Sequence, residues 1–474
     1  MGRTAERPMP SEDANLQGTT TTPGQLNIAG RLERLPLGAF HISALTIVGA
    51  ALFFDGFDLI ISGLSLPSLQ AARVITTATR AWFISGPLLG AAFGSGLSGV
   101  LGDRFGRRRV LLANLFIYGV FSPLCGLAGT FAILLSLRTI AVFALGSQIP
   151  TAYTYLAELL PRAGRSRFQS VLALSGNAAF PVGAFIAWLL VRRFEPALAW
   201  RLLFLVSGFA LPLIVPAIKV LRESPRWLSA VGRESEAASI VSSIEAAFVN
   251  RGHKLAEPEW VPPATVRSAG WSVLGSRRVR NRFLLAVLIH VCHLSAIYVL
   301  ISWLPQAMLS RGISISETFA LTAVSYVGAI LGPVLAAYLA DRWEHKWCVI
   351  CAAVIAAATG LFYSIQTASF GLLITGLVLN TAIYFISATG TAIYTPEILP
   401  TAVRMRGMGF ALFAGRIAAG LTPFIASAVI SGAGNALIVV GGVAFLYVIL
   451  AAALIAFGPN TSGRTLEALE CEVS

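Results

Sequence analysis

Gly102-Asp103-Arg104-Phe105-Gly106-Arg107-Arg108 is a short basic turn set between two apolar runs, and Ala340-Asp341-Arg342 repeats its core 238 residues later. Two further pairs keep nearly the same offset. Glu158, Pro161, Arg165 and Arg167 return as Glu397, Pro400, Arg404 and Arg406 with identical internal spacing, and Ser224, Arg226 and Leu228 return as Ser462, Arg464 and Leu466. Three motif pairs at one offset predict two like halves of parallel topology, related by an axis along a membrane normal, which is a transporter plan.

The runs around these turns are long enough for lipid. A span needs about 20 apolar residues, and such runs lie near 39–64, 81–101, 110–129, 131–159, 168–191, 201–221, 283–309, 318–340, 348–366, 371–394, 408–430 and 436–458. Composition agrees: 56% of the 474 residues are hydrophobic and 12% charged, with mean hydropathy +0.76. A soluble domain carries about 25% charged residues, so a soluble enzyme and a disordered binder are both excluded. The predicted fold class is an all-α membrane protein with 12 transmembrane helices in two six-helix halves. The organisation is a disordered tail at 1–38, a first half at 39–221, a linker at 222–282, a second half at 283–458 and a tail at 459–474.

A formal net charge of +13 taken alone would point to nucleic acid. Its placement points elsewhere. Of the 35 Lys and Arg, 27 fall on the side that holds both tails and the linker, six on the other, and Arg138 and Arg416 inside spans. The positive-inside rule then puts both termini in the cytoplasm and makes the bilayer the partner. Arg outnumbers Lys 32 to 3, a bias of GC-rich genomes, and the expected location is a bacterial inner membrane. The five cysteines form no disulfide framework, and Cys348-Val-Ile-Cys351 lacks the βαβ setting of a redox pair. With no metal-ligand cluster and no phosphate loop, neither an enzyme nor a cofactor is expected.

At this point the residues resemble the major facilitator superfamily over about 39–470. The 102–108 loop looks like that family's signature between helices two and three. Arg222-Glu223-Ser224-Pro225-Arg226-Trp227-Leu228 and Gly463-Arg464-Thr465-Leu466-Glu467 resemble sugar-porter motifs. Asp55-Gly56-Phe57-Asp58 is similar to the pattern of aromatic acid:proton symporters. The segment from Pro396 to Arg404, followed by Gly415-Arg416, looks like the broader metabolite:proton symporters, including niacin and synaptic-vesicle-type relatives. Helix seven departs from sugar porters, with His290-Val291-Cys292-His293 in place of their glutamine-rich motif.

Charges at depth carry the chemistry. An Asp at a helix centre costs about 2.5–3.5 kcal/mol on insertion scales, so Asp55 and Asp58 stand out as candidate proton carriers. They are three apart on one face, and two such carboxylates do not both ionise easily. By helical rise Asp55 and Arg138 sit at similar depth, about 22 Å from one edge and about 10 Å from the other. Arg138 is therefore expected to attract an anionic substrate and to pair with Asp55 or Asp58 when the cavity is empty. His293, near mid-depth, is a further proton carrier. Gln148, Tyr153, Asn177, His290, Asn380 and Tyr384 are candidate hydrogen-bonding substrate contacts, while Tyr298 and Trp303 read as packing or interface residues. Asp103, Arg104, Arg107, Arg108, Glu158, Arg165, Asp341, Arg342, Glu397 and Arg404 are read as gate residues, pairs that the resemblance implies hold the cytoplasmic side closed. Arg416 is expected to pair with a carboxylate or with carbonyls at the same gate, in preference to contacting the substrate. The expected function is proton-coupled uptake of a small organic anion, an aromatic carboxylate among them, by a monomer. A sugar or polyol porter, an efflux antiporter and a non-transporting nutrient sensor are the alternatives.

Overall fold

In lipid each backbone polar group must be satisfied within its own segment, so apolar runs of this length become helices. The computed structural model describes residues 27–258, 276–309, 312–339, 342–366, 368–399, 401–433 and 437–461. A short α1 (Ile28–Glu33) precedes α2 (Ala39–Ala71), α3 (Thr77–Phe105), α4 (Arg107–Cys125), α5 (Phe131–Leu159) and α6 (Arg162–Arg193). The sixth pass runs from α7 (Pro196–Val206) through a 3-10 stretch (Ser207–Leu213) into α8 (Ile214–Val220). Then come α9 (Pro225–Ala230) and α10 (Glu234–Val249), outside the bundle. The second half holds α11 (Arg277–Leu309), a broken pass of α12 (Ile315–Ser325) and α13 (Gly328–Leu339), and α14 (His345–Ile365). The next pass runs from α15 (Ser369–Ile386) through a π-helical stretch (Ser387–Tyr394) into α16 (Thr395–Ile398), before α17 (Thr401–Ala433) and α18 (Leu437–Phe457). These make twelve passes among the described residues. Ten contain helices long and apolar enough to cross a membrane; of the other two, α4 opens on Arg107-Arg108-Arg109 and α18 supplies the shorter apolar stretch Gly441–Phe457.

The halves repeat in their packing as well as in their motifs. In the first, α2 packs on α6 and α3 on α5; in the second, α11 packs on α17 and the α12–α13 pass on α15. First-with-fifth and second-with-fourth pairing thus recurs. Small residues permit it: a Cβ on Gly94 would run into the Phe143 carbonyl of α5, so α3 and α5 touch backbone to backbone. The two halves meet where α3 lies against α17, α6 against α12 and α2 against α11.

The end bearing Gly106 is the basic end. Gly106 turns the chain from α3 to α4 at φ +94°, and a Cβ there would sit 2.5 Å from Glu223 Oε2. Trp227 of α9 donates from Nε1 to the Asp103 carbonyl at 2.9 Å, tying the linker to this turn.

Two boundaries differ from the sequence reading. The tail expected to be disordered to residue 38 contains α1, because Ile28, Leu32 and Leu35 bury against Trp227, Leu228, Val241 and Phe248. Arg31 and Arg34 meet Glu245 at 2.5 and 2.7 Å, and Arg226 meets Glu33 at 2.7 Å. The linker expected over 222–282 ends earlier, since α11 starts at Arg277. Within it, α9 and α10 are separated at Gly232, where φ is +79°.

Candidate functional site

Between the halves lies a cavity of about 370 Å³. Leu59, Phe180, Leu294 and Ile297 give it an apolar wall, against which Asp55, Asn177, His290, His293, Tyr384 and Arg416 set the polar groups. Asp55 reaches it because the neighbouring Gly56 lets α2 close onto the Gly176 carbonyl of α6, leaving the aspartate at the edge of that contact. The π-helical stretch contributes Ser387 and Thr391; such widened turns recur at functional sites. The lining runs toward the basic end through Tyr153, Thr391 and Leu412. Away from that end, Phe180 of the first half stands against Tyr326 and Tyr384 of the second, ring centres 5.8 and 5.5 Å apart.

Asp55 and Arg416 are the charged pair of this chamber. Asp55 is 5% exposed, makes no hydrogen bond or ion pair among the described residues, and feels the charges of Arg416 and Asp58. Arg416 is 6% exposed. Its Nη1 donates to the Ala91 and Gly146 carbonyls, both at 3.0 Å, so α17 of one half rests on α3 and α5 of the other. Nε and Nη2 are without partners among the described residues. That planar edge is the fork that binds a carboxylate in bidentate fashion.

Asp58 and Arg138 are a different kind of pair. Both are fully buried, and neither lines the cavity. Arg138 Nη1 donates to Asp58 Oδ2 at 2.5 Å, and Nη2 donates to the Asp58 carbonyl at 2.6 Å and to Ser62 Oγ. Ser122 donates to Asp58 Oδ1, Ser207 donates to Ser122 at 3.0 Å, and the Phe204 ring lies 5.4 Å from the guanidinium. The expected pairing of Arg138 with Asp58 is present, while the guanidinium lies outside the cavity lining where substrate contact was expected. Asp58 points into the packing of α2 on α4 and α5, and takes the guanidinium with it. Asp55, one turn earlier, opens to the cavity.

The remaining candidates divide in the same way. Tyr153, Asn177, His290, His293 and Tyr384 line the cavity. Gln148 and Asn380 do not: Asn380 Nδ2 bonds back to the Gly376 carbonyl at 2.9 Å, and Gln148 Oε1 is buried outside the lining. Arg416, read as a gate residue, faces the chamber. Tyr298, read as packing, lines it, as do Phe180, Ser387 and Thr391, which the sequence reading did not single out. An aromatic or hydroxyl in an apolar run carries no signal of its facing, although Tyr298, eight residues after His290, keeps helical phase with it.

Gate residues bond within their own halves. Arg107 meets Asp103 at 2.9 Å and Glu158 at 3.1 Å. The Arg108 amide donates to Glu223, and its guanidinium donates to the Leu221 and Ile218 carbonyls. Glu397 meets His345 at 2.8 Å, while Arg104 and Arg342 lie over the rings of Phe105 and Tyr338. The side chains of Arg165, Asp341 and Arg404 lie outside the described residues. Among the described residues no ion pair joins the halves, so at the basic end these contacts brace each half separately.

Two pseudo-symmetric six-helix bundles around a buried, largely apolar cavity are the architecture of a multi-pass membrane transporter. The description "Sugar (and other) transporter" matches residues 42–472, and the chain belongs to that family of the major facilitator superfamily. It is 27% identical to the niacin transporter NiaP of Acinetobacter baylyi, covering 94% of this chain and 100% of the relative. It is 28% identical to a gallate transporter of Pseudomonas putida, covering 86% and 89%. Among solved structures, the xylose transporter XylE of Escherichia coli in a partially occluded inward-open conformation gives a TM-score of 0.72 at 18% identity, over 90% of this chain and all of that one. That last likeness is one of fold.

Proposed function

We propose that this protein imports small aromatic monocarboxylates together with protons, as a monomer with its basic end and both termini in the cytoplasm. The observation that carries this reading is that the open edge of Arg416 and the unbonded carboxylate of Asp55 share one largely apolar chamber. A carboxylate ligand and Asp55 compete for the same positive charge. A proton on Asp55 removes the competitor, so substrate and proton bind together. The aromatic ring packs against Phe180, Leu59 and Ile297, where apolar burial adds affinity. Niacin and gallate, the cargoes named for two relatives, are both aromatic acids, which supports the class.

Asp58 and His293 are the other candidate proton carriers. In this reading the Asp58–Arg138 pair is a lock that holds α2 on α5. The networks around Asp103, Arg107, Glu158 and Glu397 stiffen each half at the basic end, where rocking closes the path. Neutralising Asp103 should slow turnover more than it weakens binding.

The test is uptake by proteoliposomes under an imposed pH gradient, with nicotinate, 4-hydroxybenzoate, an aliphatic acid and xylose as cargoes. Accumulation of the aromatic acids, collapsed by a protonophore, is expected. Gradient-independent xylose flux without acid flux would overturn the reading.

A further inference from the structure

The chamber has a second polar pole. His293 is buried and lines the cavity, its Nδ1 lies 3.4 Å from the Tyr447 hydroxyl, and its Nε2 has no partner. Tyr384 is buried, lines the same cavity, and its hydroxyl has no partner either. Unpaired polar atoms this deeply buried are costly, and most such groups in native proteins have a hydrogen-bond partner.

This pole is apart from Arg416. Arg416 rests on α3 and α5, while Tyr384 stands edge-on to Phe180 of α6. Both poles line the one cavity.

We propose that His293 Nε2 and the Tyr384 hydroxyl form a subsite for a hydrogen-bonding group on the substrate ring, remote from its carboxylate. This deepens the reading of the cavity as an aromatic-acid site and rests on it. The favoured cargoes are then ring-hydroxylated or nitrogen-heteroaromatic monocarboxylates, and the unsubstituted acid is a poor substrate.

The experiment is equilibrium competition on the purified full chain in detergent, with radiolabelled 4-hydroxybenzoate displaced by benzoate, 4-hydroxybenzoate or nicotinate. The wild type should prefer the ring-polar acids over benzoate by about tenfold or more, since a site built for a polar group discriminates against its absence. Tyr384→Phe, which deletes one oxygen, should shrink that ratio several-fold; His293→Gln provides a second variant, and the unliganded melting temperature of each reports folding. Arg416→Gln should weaken all the acids in parallel and keep the ratio. A wild-type ratio near one, or a ratio untouched in both Tyr384→Phe and His293→Gln, overturns the subsite while leaving the carboxylate reading intact. Failure of every acid to bind the wild type overturns both. No gradient enters the measurement, so loss of proton coupling does not disturb it.

Discussion

Arg138 and Arg416 are both single arginines inside long apolar helices, and both are almost wholly buried. Yet they do opposite things with their donors. Arg138 commits both terminal nitrogens to Asp58, its carbonyl and Ser62 within one half. Arg416 commits one terminal nitrogen to two backbone carbonyls of the other half and turns the rest of its edge to the cavity. Rarity of charge locates a residue worth inspecting. The number of donors left over decides whether it serves the fold or a ligand.

The largest effect expected from this contrast is on stability. Asp58→Ala strands a buried guanidinium and should cost about 3–5 kcal/mol, read as a fall in melting temperature, whereas Asp58→Leu combined with Arg138→Met should recover most of it. If Asp58→Ala instead leaves stability intact and removes only binding, the contrast collapses.

Next comes affinity. Arg416→Gln should weaken carboxylate binding about tenfold to hundredfold, as expected when a charge-assisted hydrogen bond worth about 1.5–3 kcal/mol is lost. Arg416→Lys should recover only part of it, because an ammonium lacks the planar fork. Isothermal titration separates the two variants. Asp55→Asn sharpens the comparison on the acidic side. Accumulation driven by a pH gradient should vanish while substrate exchange across the membrane continues, and an intact gradient response would remove Asp55 from the coupling.

The smallest effect lies outside the membrane. Burial pushes the Glu245 carboxyl up, but the hydrogen bonds from Arg31 and Arg34 outweigh it and hold it below the usual carboxylate range. A group with a lowered folded value contributes stability above its unfolded value and loses it as pH falls through the folded one. The hold on α1 should therefore be complete at neutral pH and weaken only in acid below the ordinary carboxylate range. Glu245→Gln should loosen Ile28–Leu35 by about 1 kcal/mol at neutral pH, visible as faster amide exchange there with the bundle unchanged.

Much of this architecture could be read before any coordinates. Span-length apolar runs and three motif pairs at one offset defined two halves, because lipid allows so few alternatives. The chamber was legible only as a set of rare residues. Asp55 and Asp58 share a helical face by spacing, but one turn of α2 separates open cavity from packed interior, and no periodicity encodes that rotation. Carbonyl partners were among those expected for Arg416, but backbone oxygens such as those of Ala91 and Gly146 carry no sequence signal that would fix where it sits. The helix α1 was overlooked although Ile28, Leu32 and Leu35 keep helical spacing. A six-residue helix has no stability of its own and exists by docking on α10.

The Arg416 contact also bears on how such a chain diversifies. Carbonyl oxygens are present whatever the side chain, so substitutions in α3 and α5 cannot delete the partners of Arg416 chemically. They can only crowd them: a Cβ on Gly146 would collide with the Ala91 backbone. Selection on that joint is therefore a limit on size alone, and the walls around it are at liberty to drift toward new cargoes while the anchor stays where it is.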